Sequence, residues 1–539
     1  MKTFFTLVIL ISFQLIHSQS YVKISTENKV LVPGKVVSMY SIGNLGATPS
    51  TKYLGFNLVD TFTSKAGVLV TSFSNPLEIK NSIYFSQAEG NLELVKIFGD
   101  GDYELVLFGM YQKSANDRYI FSANYNHRLQ QLISFKIFSL PNEPNRILEL
   151  KDVIVERDQF YLLASTEIEY LSSLHQKMVL INYDGTSISW AKSYNFVAPI
   201  HSESATHLTV DPNGNFAIGG TIKSTGDNFE RMMLAEIKSN GDPGVLKKVE
   251  LMAVNQTFSN RYGWTYIKNR GSNIHLFSQA ILGGSEPGQL LVTMFDVNYA
   301  LRTWRNYTLP IRVEFSMIDG NFFFFGGQAP LGNIYNGYTM ARVNSSNAIV
   351  EAISYFEKGI QNLDLTTSST ACYDRANDKI WSAIKSNHMD GILIVENQSS
   401  LNHQCASNLS SSVAKDTIRI TDFALTSKDL EIQVSDFAAQ ATEIKLLSEE
   451  ICSPTYNDDV DKVYLNVIYR ESTHELLIQD VENIKNISLT DLMGKFYISK
   501  DVDSVGDLEL PIVLNPGIYN LSCTLKTGQR AVIRFPVSR

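Results

Sequence analysis

Few residues in this chain have the types and spacing that chemistry requires. His474-Glu475-Leu476-Leu477-Ile478 opens like the zinc-binding helix of a metalloprotease, but isoleucine stands where the second histidine is needed. Its apolar run reads as a strand. Asp100-Gly101-Asp102-Tyr103-Glu104 gathers three carboxylates, yet the remaining ligands of a calcium loop are missing, so a turn before a strand is the simpler reading. The glycine pairs at 219–220, 283–284 and 326–327 lack the Gly-Lys-Ser/Thr that cradles phosphate, and Gly-x-Ser-x-Gly does not occur. The acidic run Asp458–Asp461 reads as solvated linker, and the nine histidines are scattered. The expectation is therefore no catalytic residue, no cofactor-binding residue and no metal site.

Four cysteines, Cys372, Cys405, Cys452 and Cys523, form no C-x-x-C pair, which argues against zinc and thioredoxin-like chemistry. Four cysteines allow three disulfide connectivities. Cys405 and Cys452 flank the region where the sequence changes character and are the favoured bridge. Cys523 lies in an alternating strand and reads as a small buried hydrophobe.

These residues need a scaffold, and the composition describes it. The chain has 539 residues, 46 Lys+Arg against 55 Asp+Glu and a net charge of −9, a balance that argues against nucleic-acid binding. With 25 Tyr, 29 Phe and 32 Gly against 15 Pro, it leans towards β-structure with glycine-rich turns. Lys2 followed by the apolar run Phe4–Ile16 and small residues Ser18 and Ser20 matches a secretory signal peptide, 1–18. No later run is long enough for a stable membrane span.

A paired-strand pattern repeats along the chain. Phe160–Ser165 with Met178–Gly185 recurs as Asn215–Gly220 with Leu234–Gly241, and as Asn321–Gly327 with Thr339–Asn344. Looser copies join 105–109 to 119–124, 274–278 to 291–296 and 379–383 to 392–396; a degenerate early copy joins 67–71 to 83–86. The pivots Gly109, Ala164, Gly219, Ser278, Gly326 and Ala383 recur at about 55 residues, the length of a four-stranded propeller blade with generous loops. Each pair supplies a blade's two middle strands, and Asp211–Gly214 and Asn240–Gly244 supply turns. Glycines 219–220 and 326–327 suit crowding near a central axis. The reading is an all-β chain: a β-propeller over 19–405, of seven blades, or six without the early copy, closed by an N-terminal strand.

The blades reading Val179-Leu-Ile-Asn-Tyr-Asp-Gly-Thr-Ser-Ile-Ser-Trp-Ala-Lys-Ser-Tyr194 and Asp211-Pro-Asn-Gly-Asn-Phe-Ala-Ile-Gly-Gly-Thr221 resemble propeller repeats of secreted Bacteroidetes proteins. After Cys405 the repeat stops. Residues 406–462 read as a β-rich linker region, and 463–539 as a small β-sandwich. That tail resembles the type A C-terminal sorting domain of the type IX secretion system. The resemblance is carried by Ser488–Lys495 (with Asp491, Gly494 and Lys495), Leu514–Tyr519 (with Pro516, Gly517 and Tyr519) and Lys526–Phe535 (with Gly528). The opening Tyr-Pro-Asn-Pro of the family is replaced by Val463-Tyr464-Leu465-Asn466-Val467, and the terminal lysines by Arg534 and Arg539. The resemblance implies export to the cell surface or beyond, with the secretion machinery as partner. A non-enzymatic propeller binding a protein or glycan is expected. The alternative is a propeller enzyme acting on extracellular polysaccharide from its central channel.

Overall fold

A computed structural model describes residues 21–537 except for short stretches between strands, the longest being 43–50, 253–260, 355–365 and 453–466. The signal segment 1–18 lies outside the described residues. The chain divides into two compact units, Met1–Pro454 and Thr455–Arg539. No described helix is long and apolar enough to cross a membrane.

The first unit consists of seven five-stranded antiparallel sheets. Six take four consecutive strands each, from within 31–86, 91–139, 148–196, 200–252, 261–307 and 312–354, and are numbered sheets 1 to 6 here. Sheet 7 takes three strands from 366–398, and its fourth is the N-terminal strand Tyr21–Thr26, which pairs Tyr21 with Val395 and Ile24 with Ile392. The first strand of each sheet is innermost: Leu31–Ile42, Asn91–Asp100, Leu148–Glu156, Ile200–Val210, Arg261–Arg270, Arg312–Asp319 and Thr366–Asp374. Each touches the next, and Thr366–Asp374 touches Leu31–Ile42, so the innermost strands close a ring. This is the propeller-like, all-β arrangement that the repeat predicts.

Burial explains the sequence pattern. Second and third strands are covered on both faces, so Thr51–Asp60 and Ala66–Ser74 are buried over most of their length and read as largely apolar runs without alternation. The fourth strand Glu78–Ser86 alternates at its start because one face is wet. The cores lie between neighbouring sheets, not within one: Leu94, Leu107 and Phe121 of sheet 2 pack with Val68, Val70 and Phe85 of sheet 1. The pivot glycines belong to the second strands, and Gly219, like Gly55 of sheet 1, makes room there for the next sheet's innermost strand. A Cβ on Gly55 would fall 2.2 Å from Leu94 Cδ2, and one on Gly219 would press Ile267 and Thr265 at 3.3 Å. The crowding read from 219–220 is therefore real, but it sits one strand out from the axis. The early copy is likewise displaced by one strand: 67–71 and 83–86 are the third and fourth strands of sheet 1, and its middle pair is Thr51–Asp60 with Ala66–Ser74.

The fifth strand of every sheet comes from the stretch read as a linker. Ser407–Asn408, Val413–Ala414, Thr417–Phe423, Leu425–Asp429, Gln433–Asp436, Gln440–Glu443 and Leu446–Cys452 add to sheets 6, 5, 4, 3, 2, 1 and 7 in that order, all antiparallel. The segment is a belt running round the ring against the order of the chain. An outer strand presents unpaired N–H and C=O groups, and covering those edges supplies the driving force. Apolar side chains of the belt also cap the inter-sheet cores: Ile418 and Ile420 between sheets 4 and 5, Phe423 and Leu425 between 3 and 4, Leu430, Ile432 and Val434 between 2 and 3. Phe437 and Ala439 do so between sheets 1 and 2, and Ile444 and Leu446 between 7 and 1.

In the second unit, Val467–Arg470, Glu475–Ile478 and Leu508–Pro511 form one sheet. Ile484–Asp491, Phe496–Asp501, Gly517–Leu525 and Arg530–Val537 form another. Leu476, Ile478 and Leu510 of the first share one apolar core with Ile487, Leu489, Leu521 and Cys523 of the second.

Candidate functional site

Each innermost strand carries a register shift against its neighbour, an extra residue that bends the strand and frees backbone groups from the sheet's own ladder. The residue just after the shift is Ser38, Lys96, Asp152, His207, Thr265, Phe315 and Ser368 in sheets 1 to 7. Six of these seven are polar, and they stitch one sheet to the next. Val36 N–H of sheet 1 donates to Ser368 Oγ at 2.8 Å, and Ile97 N–H of sheet 2 donates to Ser38 Oγ at 3.2 Å. Lys96 Nζ donates to Asp152 Oδ1 at 3.0 Å, and Leu208 N–H of sheet 4 to Asp152 Oδ2 at 3.0 Å. His207 Nδ1 lies 2.8 Å from the Thr265 carbonyl oxygen. Five consecutive joints are made this way. A buried donor without a partner costs about 1–3 kcal/mol, so a polar residue at each bulge is first of all a structural need.

The titratable groups at these positions are Lys96, Asp152 and His207 of sheets 2, 3 and 4. Asp152 also accepts from the Val153 N–H at 2.9 Å. Burial works to raise its carboxyl, but Lys96, then His207 and the Leu208 N–H, outweigh burial and hold it below the usual carboxylate range. Burial pushes the His207 imidazole down to about 4, against the pull of Asp152 and the Thr265 carbonyl. The ring is therefore neutral at pH 7, and since a carbonyl only accepts, Nδ1 carries the proton. Lys268, further along the innermost strand of sheet 5, is also affected: burial, then the Lys96 ammonium, pushes its amine down to about 8, with Asp152 opposing. Lys96, Asp152, His207 and Lys268 of four neighbouring innermost strands thus interact electrostatically.

Other buried charges are structural. Lys52 Nζ and Asp374 Oδ2 are 2.7 Å apart with both side chains fully buried, and Lys52 lies 5.0 Å from the Trp381 ring centroid. The pair joins sheet 1 to sheet 7, where the ring closes. Glu203 accepts from the Met178 N–H at 2.7 Å, and burial pushes its carboxyl well above the usual range. It bonds sheet 3 from sheet 4.

The residues singled out in the sequence fall elsewhere. His474 sits in the turn before strand Glu475–Ile478, its Nδ1 3.4 Å from the Tyr469 hydroxyl, so a zinc-binding helix is excluded there. Asp100 and Glu104 face each other across a strand pair, the hairpin that the turn reading requires. Asp211 Oδ1 accepts from the Asn213 and Asn215 N–H groups at 2.8 and 2.9 Å, and Gly214 and Gly241 hold φ of 80° and 83°, as their turns require. Cys405 lies outside the described residues, and Cys452 ends the last belt strand; no pairing between them is described. Cys523 is buried in the core of the second unit.

Of the tail motif, Gly494, Pro516 and Gly528 lie outside the described residues. Asp491 pairs in register with Tyr519, and Gly517 with Val537. Lys495 Nζ lies 5.2 Å from the Tyr497 ring centroid, and Tyr497 meets Tyr519 edge-on at 5.4 Å. Tyr519 is buried and donates its hydroxyl to Asn515 O at 2.9 Å. The fold therefore brings Asp491, Lys495 and Tyr519 to one corner of the four-stranded sheet.

The polar ring escapes a reading of the sequence because the crowded glycine-bearing strands read as innermost. Its signal is nonetheless periodic: the polar residue recurs about a dozen residues ahead of most pivots, but as Lys, Asp, His or Thr in turn. A search for one repeated residue type passes over it.

No protein-family model matches the chain, and no curated protein matches it. Among solved structures it is similar to the phage phi92 endosialidase, at 10% identity over 70% of this chain and 68% of that chain, with a TM-score of 0.35. It is also similar to the parainfluenza virus 5 hemagglutinin-neuraminidase ectodomain, at 7% identity over 69% and 85%, with a TM-score of 0.28. The fold assignment rests on the sheet topology itself.

Proposed function

We propose that this chain is an exported, non-enzymatic binding scaffold: a seven-bladed propeller followed by a small β-sandwich that serves as a type IX sorting module. The observation that carries the reading is the second unit, which has its own core at the end of the chain and seats Asp491, Lys495 and Tyr519 of the tail motif at one corner. A receptor that handles folded cargo needs a separately folded handle of this kind. The signal segment 1–18 serves the first membrane, and the module from about 463 the second. Release or surface retention then leaves the propeller outside the cell, where its ligand is a protein or glycan. The alternative, a propeller enzyme acting on polysaccharide, draws on the charge at the axis. Glycoside hydrolysis ordinarily uses two carboxylates facing across the bond, whereas among the described bulge residues Asp152 is the one carboxylate, and it is already bonded by Lys96, Val153 and Leu208.

Deleting 463–539 in the native host is expected to strand the propeller in the periplasm, read by fractionation and immunoblotting. Unchanged appearance of the truncated protein outside the cell would end the sorting reading.

A further inference from the structure

One row of the face that sheet 1 turns towards sheet 2 is polar. Tyr53 stands opposite Ser72, and Ser72 opposite Asn81, across three strands of sheet 1. Side chains alternate along a strand, so Val70 and Ile83, a pair two residues along, share that face as its next row. Leu105 and Tyr125, a pair of sheet 2, pack against it in the core that joins the two sheets. These seven side chains line one cavity. Tyr53, Ser72 and Tyr125 are all buried, and the Tyr125 ring meets Phe85 of sheet 1 edge-on, centroids 5.4 Å apart. Yet the Tyr125 hydroxyl, itself buried, makes no hydrogen bond among the described residues. Other buried phenols of the first unit do: Tyr183 donates to Gly185 O at 2.6 Å, Tyr194 to Gly241 O at 2.8 Å and Tyr299 to Asp211 Oδ2 at 3.1 Å. A buried polar group ordinarily has a partner, either protein or ordered water.

Size and charge identify the partner. The cavity has a volume of about 10 Å³, at the lower bound for one water and too small for a larger ligand. An ion is unsuited, because no residue lining the cavity carries a charge; burial pushes the Tyr53 and Tyr125 phenols up to about 12, so both stay neutral at pH 7. Tyr53, Ser72, Asn81 and Tyr125 supply polar side chains on both walls, and an enclosed water needs roughly two to four such partners. We propose that this cavity is a binding site for one ordered water, which accepts from the Tyr125 hydroxyl of sheet 2 and ties it to the polar row of sheet 1. The site goes beyond the export and binding reading and does not depend on it. It adds a water-mediated joint between sheets 1 and 2 to the direct one from Ile97 N–H to Ser38 Oγ on the innermost strands.

The test reads the sign of one substitution in the full mature chain. Tyr125→Phe removes a single oxygen and leaves the ring to pack as before. A buried hydroxyl without a partner destabilises the fold, so removing it would leave the urea midpoint of the first unit unchanged or raise it. A hydroxyl bonded to water takes a bridge between two sheets with it, and the midpoint falls. The expected result is a fall of about 0.2–0.4 M. A high-resolution crystal structure of the parent chain should show one water in the cavity, roughly 2.5–3.0 Å from Tyr125 Oη. A midpoint unchanged or raised in Tyr125→Phe, a cavity without a water peak, or one filled by an ion or an organic molecule would overturn the proposal.

Discussion

The first unit is crossed twice by segments that visit every sheet, once at the innermost strands and once by the belt at the outer edge. The two do different work. The innermost strands are mostly eight to twelve residues long, bulged, and joined sideways by polar side chains. Belt strands run from two to seven residues, and where their packing is described they are joined by apolar side chains that cap the clefts between sheets. The inner ring assembles from hairpins whose partners are close in sequence. The belt pairs residues as far apart as Thr26 and Leu446, and closing such loops costs entropy before any contact forms. The difference teaches that sheets of this ring are made locally, whereas their union is secured by one late segment.

The sharpest way to break the comparison is to cut the chain on either side of the belt. Removing 455–539 should leave the first unit folded, soluble and monomeric, with its thermal transition unmoved. Removing 407–539 exposes seven sheet edges and the outer ends of the cores between them, and should give aggregated protein on size-exclusion chromatography. A soluble, cooperatively melting product from the second truncation would show that the belt is an ornament.

The closure between sheets 7 and 1 is tested by Lys52→Met. Removing one partner leaves Asp374 buried and unbalanced, at a cost of about 3–5 kcal/mol in chemical denaturation. Replacing both, as Lys52→Met with Asp374→Leu, should recover much of the loss, since a paired buried charge gains little over apolar packing. A single variant as stable as the parent would mean that the inner ring closes without this pair.

Belt packing is graded by Leu425→Ala, which empties a buried site between sheets 3 and 4 and should cost about 2 kcal/mol. The smallest effect is a pH slope from the inner ring. His207 in the folded protein protonates only near pH 4, below its ordinary value of 6.5, so the unfolded chain binds more protons between those values. Its contribution to stability is full above pH 6.5 and is lost as the pH falls towards 4. Asp152, also lowered, faces His207 with Lys96 and Lys268, and its own loss comes at lower pH. Stability against urea should therefore fall from pH 6.5 to 4, and His207→Gln should flatten that slope. An unchanged slope would place the titration elsewhere.

Much of this was legible in the residues. The middle strands of six sheets announce themselves as apolar runs about 55 residues apart, because strands covered on both faces must be apolar throughout. Turns at Asp211 and Asn240 were equally plain, since asparagine, aspartate and glycine there satisfy backbone groups within a few residues. The alternation of Leu430, Ile432 and Val434 reads as a strand, but residues 430–432 fall between two belt strands, where the belt crosses from sheet 3 to sheet 2. Nothing in the alternation says which edge the strand will join.

Sequence by itself determined the local hairpins and the separate tail, because each depends on residues near one another in the chain. The N-terminal closure was also legible, and Tyr21–Thr26 completes sheet 7. Tertiary structure alone decided two things: that 407–452 is a belt, and that Lys96, Asp152, His207 and Lys268 of four sheets interact. Edge pairing is made by backbone groups that every residue carries, so its partner leaves no mark in the side chains. The interaction among those four residues likewise depends on four strands being curved into one ring, a property that belongs to no single repeat.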